Sequence, residues 1–168
     1  MLIFLFGPTG VGKSYIGNVL TRVFGYYFWD ADTALTEAMY DLIKKKKMFT
    51  QKMRDDFTQL IILKIQSLSS KYSNIVVSQA LYKERNRKQI KDIYNQVKFI
   101  YIISDGSIVA DRIVSRNNLV DSEYAKIMQS KFDPPDIEHM IIINNGDEDE
   151  LITQLKSILK QCQEESNL

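Results

Sequence analysis

The residues with the clearest chemistry stand near the start of the sequence, in a glycine-rich loop that ends in a lysine and a serine. Residues 7–14 read G-P-T-G-V-G-K-S, which matches the pattern G-x-x-x-x-G-K-S of a phosphate-binding loop (P-loop). In such a loop backbone N–H groups converge on phosphate oxygens, Lys13 adds a positive charge, and Ser14 places its hydroxyl on magnesium. The predicted nucleotide-binding positions are Gly7, Pro8, Thr9, Gly10, Val11, Gly12, Lys13 and Ser14. The pattern predicts a site for a nucleoside triphosphate.

The residues on both sides of this loop have the patterns of a strand and a helix. Residues 1–6 are all apolar, and apolar residues recur at positions 16, 19, 20 and 23, which is helical spacing. The order strand, glycine loop, helix is the context in which the motif binds phosphate. The alternative, a glycine-rich turn capped by a serine, does not account for the lysine, the strand and the helix together.

Two carboxylates stand where the second apolar run ends, in the sequence Asp30-Ala31-Asp32. Alternate residues of a strand point the same way, so both side chains are expected beside the P-loop. Asp30 is predicted to hold the water shell of the magnesium ion, and Asp32 is predicted to accept a proton from an attacking hydroxyl. The alternative is that either residue caps the next helix, because Asp followed by Thr33 and Glu37 is typical of a helix start.

The remaining candidate residues of the site are three arginines. Arg112 and Arg116 are four residues apart and would share one helix face, which suits a lid that closes over transferring phosphates. Alternatively they are surface arginines paired with Asp111 or Asp121. Arg54 is predicted either to bind an anionic group of a substrate or to make a local ion pair.

The whole chain alternates between β-rich apolar runs and helical segments, which predicts a three-layer α/β/α fold with a central parallel sheet. The predicted strands are 2–6, 26–29, 75–77, 97–103 and 140–143. A helical insertion on the substrate side is expected at about 33–70, interrupted by the four lysines 44–47. These lysines are either a phosphate or nucleic-acid patch or, the favoured interpretation, a solvated helix end. A last helix is predicted at 151–159.

Length and composition indicate one domain, residues 1–168, with a lid at about 111–135. The net charge of +1 gives no global field that favours nucleic acid, and no run has the roughly 20 apolar residues of a membrane span. The only cysteine, Cys162, falls in the polar end of the last helix and cannot form an internal disulfide. We expect a soluble, cytoplasmic monomer or homodimer that binds no nucleic acid and no membrane.

Taken together, these motifs resemble the P-loop kinases of small metabolites, a group that includes gluconate and shikimate kinases, with gluconate kinases closer. Gluconate kinases carry D-G-D, T-x-x-x-R, S-A-L-K, R-L-x-x-R and E-P-P in this order. The corresponding segments here are D-A-D at 30–32, T-Q-K-M-R at 50–54, S-Q-A-L-Y-K at 78–83, R-I-V-S-R at 112–116 and D-P-P at 133–135. The resemblance implies a P-loop NTPase fold of the nucleoside-monophosphate-kinase type, with ATP and Mg²⁺ as cofactors.

The resemblance also implies roles for individual residues. Asp32 would meet the hydroxyl of the acceptor, with Arg54 at its charged end and Ala80 also in the substrate site. Arg112 and Arg116 would contact the triphosphate. Asn145, after the last strand, would face the adenine.

The departures from the family patterns concern the acceptor. Gluconate kinases follow D-G-D with a second acidic residue and a histidine, then Lys-Met further along the helix, and the corresponding residues here are Thr33, Leu35, Leu42 and Ile43. Ser78-Gln79-Ala80 replaces the glycine-rich loop of shikimate kinases. The ending Asn144-Asn145-Gly146 resembles that of dephospho-coenzyme A kinases.

The sequence therefore predicts an ATP-dependent kinase that phosphorylates a hydroxyl of a small anionic metabolite, gluconate or a related sugar acid. The alternatives are shikimate kinase-like or dephospho-coenzyme A kinase-like activity, or a nucleotide-binding protein whose acceptor site has decayed. A GTPase switch would need the motif N-K-x-D, and residues 144–147 match it poorly.

Overall fold

The computed structural model of the protein describes residues 1–115 and 120–166. Strands and helices alternate along this part of the chain. The strands are β1 (Leu2–Phe6), β2 (Tyr27–Asp30), β3 (Ile75–Ser78), β4 (Lys98–Ile103) and β5 (Met140–Ile143). The helices are α1 (Lys13–Phe24), α2 (Glu37–Lys44), α3 (Gln51–Ser69), α4 (Glu84–Ile93), α5 (Gly106–Ser115), α6 (Ser122–Gln129) and α7 (Glu148–Ser166).

The five strands form one parallel sheet in the order β2-β3-β1-β4-β5. Because all strands run the same way, their carboxyl ends meet at one edge, where ligands of open α/β sheets bind. Ser78 lies opposite both Leu5 and Asp30 in the register. The P-loop, the Asp30–Asp32 segment and the loop after β3 therefore leave the sheet side by side.

Successive residues of β1 face two different cores. Ile3 and Leu5 pack in a cluster with side chains of α1 and α7, whereas Phe4 and Phe6 pack with side chains of α3 and α4. Helices thus cover both faces of the sheet, and the predicted three-layer α/β/α fold is confirmed. Cys162 lies fully buried in the first cluster, although its sequence surroundings are polar.

The segment predicted as a helical insertion is divided into α2 and α3. Each helix begins at a threonine cap, since the Thr36 hydroxyl accepts from Met39 N at 3.3 Å and the Thr50 hydroxyl accepts from Met53 N at 3.2 Å. The lysines 44–47 are exposed at the end of α2. They form a solvated helix end, as the sequence analysis favoured.

A buried arginine connects α4 to two loops at the ligand edge. Arg87 is 0% exposed and lies against the Phe6 and Phe132 rings. Its guanidinium donates to Leu81 O at 2.8 Å and to Asp133 O at 2.6 Å. Arg87 therefore fixes the loop after β3 and the start of the D-P-P segment. None of the helices in the described ranges is long and apolar enough to cross a membrane.

Candidate active site

The P-loop adopts a conformation that requires glycine at defined positions. Gly12 has a φ of +99°, and a Cβ there would lie 2.2 Å from the Asn144 side-chain nitrogen. The ammonium group of Lys13 donates to the carbonyl oxygens of Gly7 and Pro8, both at 2.9 Å. The lysine thus lies across the loop at the N-terminus of α1, where backbone N–H groups and the helix dipole attract anions.

The predicted metal side is assembled next to the P-loop. The Ser14 hydroxyl donates to Asp30 Oδ2 at 2.6 Å, so the two side chains proposed for magnesium are in contact. Ser78, opposite Asp30 on β3, is 1% exposed, and its hydroxyl has no hydrogen-bond partner among the described residues. These hydroxyl and carboxylate oxygens are the ligand type that Mg²⁺ and its bound waters prefer.

Asp32 is positioned by its neighbours rather than serving as a helix cap. Thr36 caps α2, and Asp30 caps the short 3₁₀ turn at 31–34 by accepting from Asp32 N at 3.1 Å. Gln79 Nε2 donates to Asp32 Oδ1 at 3.2 Å. Asp30 therefore has the capping role that was the alternative to catalysis, and also contacts Ser14, whereas the Asp32 side chain caps neither helix.

The pKa of Asp32 is raised above its ordinary value. Desolvation by the surrounding protein is the main cause, although the side chain retains solvent access, and the neighbouring Asp30 raises the pKa further. Lys13 and the hydrogen bond from Gln79 act in the opposite direction. A carboxylate with a raised pKa is a better proton acceptor than an ordinary aspartate.

The other end of the P-loop packs against the segment after β5. Asn144 is buried and donates from Nδ2 to Val11 O at 2.7 Å. Arg112 donates to Asn144 O at 3.1 Å and lies 3.4 Å from Val11 O. Asn145 Oδ1 accepts from the Ser104 hydroxyl at 2.9 Å. Arg112 thus lies against the P-loop, and Arg112 and Asn145 both contact the Ser104 hydroxyl, whereas Arg116 lies outside the described residues.

A cavity of about 100 Å³ opens beside Asp32 and contains the other predicted substrate residues. Its lining includes Asp32, Arg54 and Ala80, which the sequence analysis assigned to the acceptor from separate parts of the chain. Drug-sized ligands occupy pockets of roughly 300–1,000 Å³, so this cavity suits a smaller molecule. The structure therefore brings the predicted substrate residues together.

Several residues of this site had no role in the sequence analysis. Ser78, Gln79 and Tyr82 belong to the segment compared with S-A-L-K, and Asn144 belongs to the ending Asn144-Asn145-Gly146, but none of the four has an individual role predicted from the sequence. The Tyr82 hydroxyl shares a hydrogen bond of 3.1 Å with the Thr9 hydroxyl, which connects the cavity wall to the P-loop. The sequence signal common to all four is a position at or just after the carboxyl end of a strand, β3 for three of them and β5 for Asn144.

Comparison with known proteins gives similarities over nearly the whole chain. A sequence model of the shikimate kinase family matches residues 9–160. The shikimate kinase of Clostridium botulinum (strain Alaska E43 / Type E3) is 26% identical over 162 residues, which cover 94% of this chain and 96% of that protein.

Two solved kinase structures show the same fold at low sequence identity. A sugar kinase from Janibacter sp. HTCC2649 has a TM-score of 0.82 and 13% identity, covering 95% of this chain and 94% of that one. A gluconokinase from Sinorhizobium meliloti 1021 has a TM-score of 0.77 and 18% identity, covering 98% and 96%. At such identities the structural likeness concerns the fold alone.

Proposed function

Because this chain belongs to the shikimate kinase family, we propose that it transfers the γ-phosphoryl group of ATP to a hydroxyl of a small anionic metabolite. The family is one of small-molecule kinases, which implies ATP and, typically, Mg²⁺. The contacts of the site support the same activity, because the P-loop and the cavity that contains Arg54 lie next to each other.

The observation that carries this proposal is the position of Asp32 between the two halves of the site. Its backbone N–H is bonded to Asp30, which holds the Ser14 hydroxyl of the P-loop, and its side chain lines the cavity that contains Arg54. A carboxylate placed there can orient an acceptor hydroxyl and accept its proton as the phosphoryl group arrives. Arg54 would bind the anionic end of the acceptor.

The oxygen ligands beside the P-loop fit a magnesium ion. Ser14 and Asp30 would hold it directly or through water, and the orphan Ser78 hydroxyl would bond a water of its shell. The described residues contain no cluster of three or more His, Cys, Asp or Glu side chains. Mg²⁺ uses few protein ligands when it bridges nucleotide phosphates. Bound there, it would neutralise charge that develops on the transferring phosphate.

The remaining predicted residues would act on the nucleotide. Lys13 would exchange its two carbonyl partners for phosphate oxygens. Arg112, which lies against the P-loop at Val11 O, would contact the triphosphate, and Asn145 would face the adenine. Arg116 would reach the triphosphate if the segment at about 111–135 closes as a lid, which would also keep water from the reaction.

Two acceptors are suggested by separate observations. Family membership favours shikimate, a carboxylate with ring hydroxyls. Motif resemblance favours gluconate, whose hydroxyls lie on an open chain. Each offers a carboxylate for Arg54 and a hydroxyl for Asp32, so both are the first compounds to test.

The test is magnesium-dependent release of ADP from ATP, measured with each acceptor and with none. The proposal predicts ADP release that requires an acceptor and is lost in Lys13→Ala, together with nucleotide affinity. Tight ATP binding with no stimulation by any small hydroxy acid would contradict the kinase activity and would favour a protein that binds nucleotide only.

A further inference from the structure

We infer that the preferred acceptor is an amphiphilic hydroxy acid, with one carboxylate and one hydroxyl on an apolar body, rather than a polyhydroxylated acid. This inference rests on the proposed kinase function and narrows its substrate class. The observation behind it is that some polar side chains of the acceptor cavity have hydrogen-bond or ion-pair partners within the protein, whereas others do not.

Arg54 is the cavity's unpaired cation in the described part of the chain. Its guanidinium makes no direct salt bridge to a carboxylate among these residues, although Asp133 attracts it from farther away, and its Cζ lies 5.8 Å from the centre of the Phe49 ring. Burial lowers the pKa of Arg54, but a guanidinium remains charged at any physiological pH. A half-buried cation without a direct ion pair is stabilised by an anion that enters the cavity.

Other polar groups of the cavity wall already have partners in the protein. Asn86 donates to the Thr58 hydroxyl at 3.0 Å, and the Tyr124 hydroxyl donates to Lys47 O at 2.7 Å. The Tyr82 hydroxyl is engaged with the P-loop. These groups have little capacity left for additional hydroxyls of an acceptor.

The rest of the wall is apolar. Its side chains include Leu35, Met39, Ile43, Met48, Phe57 and Met128. One of them, Leu35, stands where gluconate kinases carry a histidine, so this departure from the family pattern falls on the cavity itself. Each extra hydroxyl of a polyol would lose water there without gaining a protein partner. Methionines also adapt their shape to an apolar ligand.

Matched acceptors test this inference directly. 3-Hydroxycyclohexanecarboxylate has the six-membered carbon ring and carboxylate of shikimate but only one hydroxyl. We expect its kcat/KM to exceed those of shikimate and gluconate by about 10–100-fold, the range over which a single pocket contact discriminates. The neutral amide, 3-hydroxycyclohexanecarboxamide, should lose about the same factor, because it offers Arg54 no anion.

Two leucine variants distinguish an effect of cavity polarity on acceptor use from a general loss of folding stability. Leu35→Asn should raise KM for 3-hydroxycyclohexanecarboxylate and reduce its advantage over shikimate, with KM for ATP unchanged. Leu42→Asn is the control, because Leu42 is similarly half-buried but does not line the cavity. Thermal melting would confirm that both variants are folded.

The possible outcomes distinguish the inference from the proposed function. Equal or better use of shikimate or gluconate would overturn the amphiphilic acceptor while leaving the kinase intact. Equal use of the acid and its amide, or equal effects of the two leucine variants, would also overturn it. No turnover of any of these compounds, with ATP still bound, would contradict the kinase function itself.

Discussion

Gln79 holds the carboxylate of Asp32 from the neighbouring loop of the sheet, with Gln79 Nε2 at 3.2 Å from Asp32 Oδ1. The other end of the same amide accepts from the N–H of Leu81, a residue with a φ of +44°. A single side chain therefore stabilises an uncommon backbone conformation and orients the proposed base. It also opposes the desolvation that raises the pKa of Asp32.

Gln79→Leu should move the acid limb of the pH profile. The hydrogen bond from Gln79 lowers the pKa of Asp32, so its loss raises that pKa further. The ionised base is then lost at a higher pH as the solution is acidified, and the acid limb of kcat shifts upward. Gln96→Leu, an exposed glutamine before β4, is the control. An unchanged acid limb in Gln79→Leu would show that this contact does not tune the base.

Asp32→Asn should bind nucleotide normally and transfer phosphate poorly. The amide keeps the shape of the side chain but cannot accept the proton, so kcat should fall about 10²–10⁴-fold. Nucleotide affinity by calorimetry and turnover by ADP release measure the two effects separately. Normal turnover would remove Asp32 from the role of base.

Asn144→Ala should weaken nucleotide binding without a direct effect on the acceptor. The variant removes the 2.7 Å hydrogen bond to Val11 O, and a buried hydrogen bond lost in this way costs about 1–3 kcal/mol. The P-loop then loses a contact that fixes its shape. Asn95→Ala, at an exposed site, is the control. A KM for ATP equal to that of the wild type would contradict this role.

Arg87→Met should destabilise the fold. The change leaves Glu84 without its partner, and breaking a buried ion pair costs about 3–5 kcal/mol. The carbonyls of Leu81 and Asp133 lose their donor as well. Chemical denaturation would measure the loss in free energy of unfolding.

Arg85→Met, on the same helix, is the matched control for Arg87→Met. The Arg85 side chain is 67% exposed and pairs with Asp55 at the surface, so its removal should cost about 1 kcal/mol or less. Equal losses in the two variants would mean that the buried network adds nothing to stability.

The parts of this site that could be predicted from the sequence are those set by local patterns. These are the P-loop, the next strand along the chain, which ends in Asp30, and the placement of Asp32. They follow from motif spacing and from the common edge of a parallel sheet. The roles of Gln79 and Arg87 do not, because each depends on a partner distant in sequence. Asn144 could be placed near the nucleotide by its position after β5, but its contact with Val11 required the three-dimensional fold.

The residues of the acceptor cavity also divide into those that the sequence predicts and those that it does not. Asp32 is predicted from its place after the second strand, and Arg54 binds an anion in one of its two predicted roles, the one that the resemblance also implies; both residues line the cavity. The sequence indicates the apolar wall only through Leu35, which stands where gluconate kinases carry a histidine. A sequence pattern does not show which side chains of α2 line a cavity, since this depends on how α2 packs over the loop after β3.

The central claim is tested most directly by measuring ADP and phosphorylated acceptor in the same reaction, with wild type and Asp32→Asn. The account predicts that the wild type forms the two products in equal amounts, only when an acceptor hydroxy acid is present, and that Asp32→Asn binds ATP but forms little of either. ADP release that is independent of the acceptor, or phosphorylation undiminished in Asp32→Asn, would contradict the account.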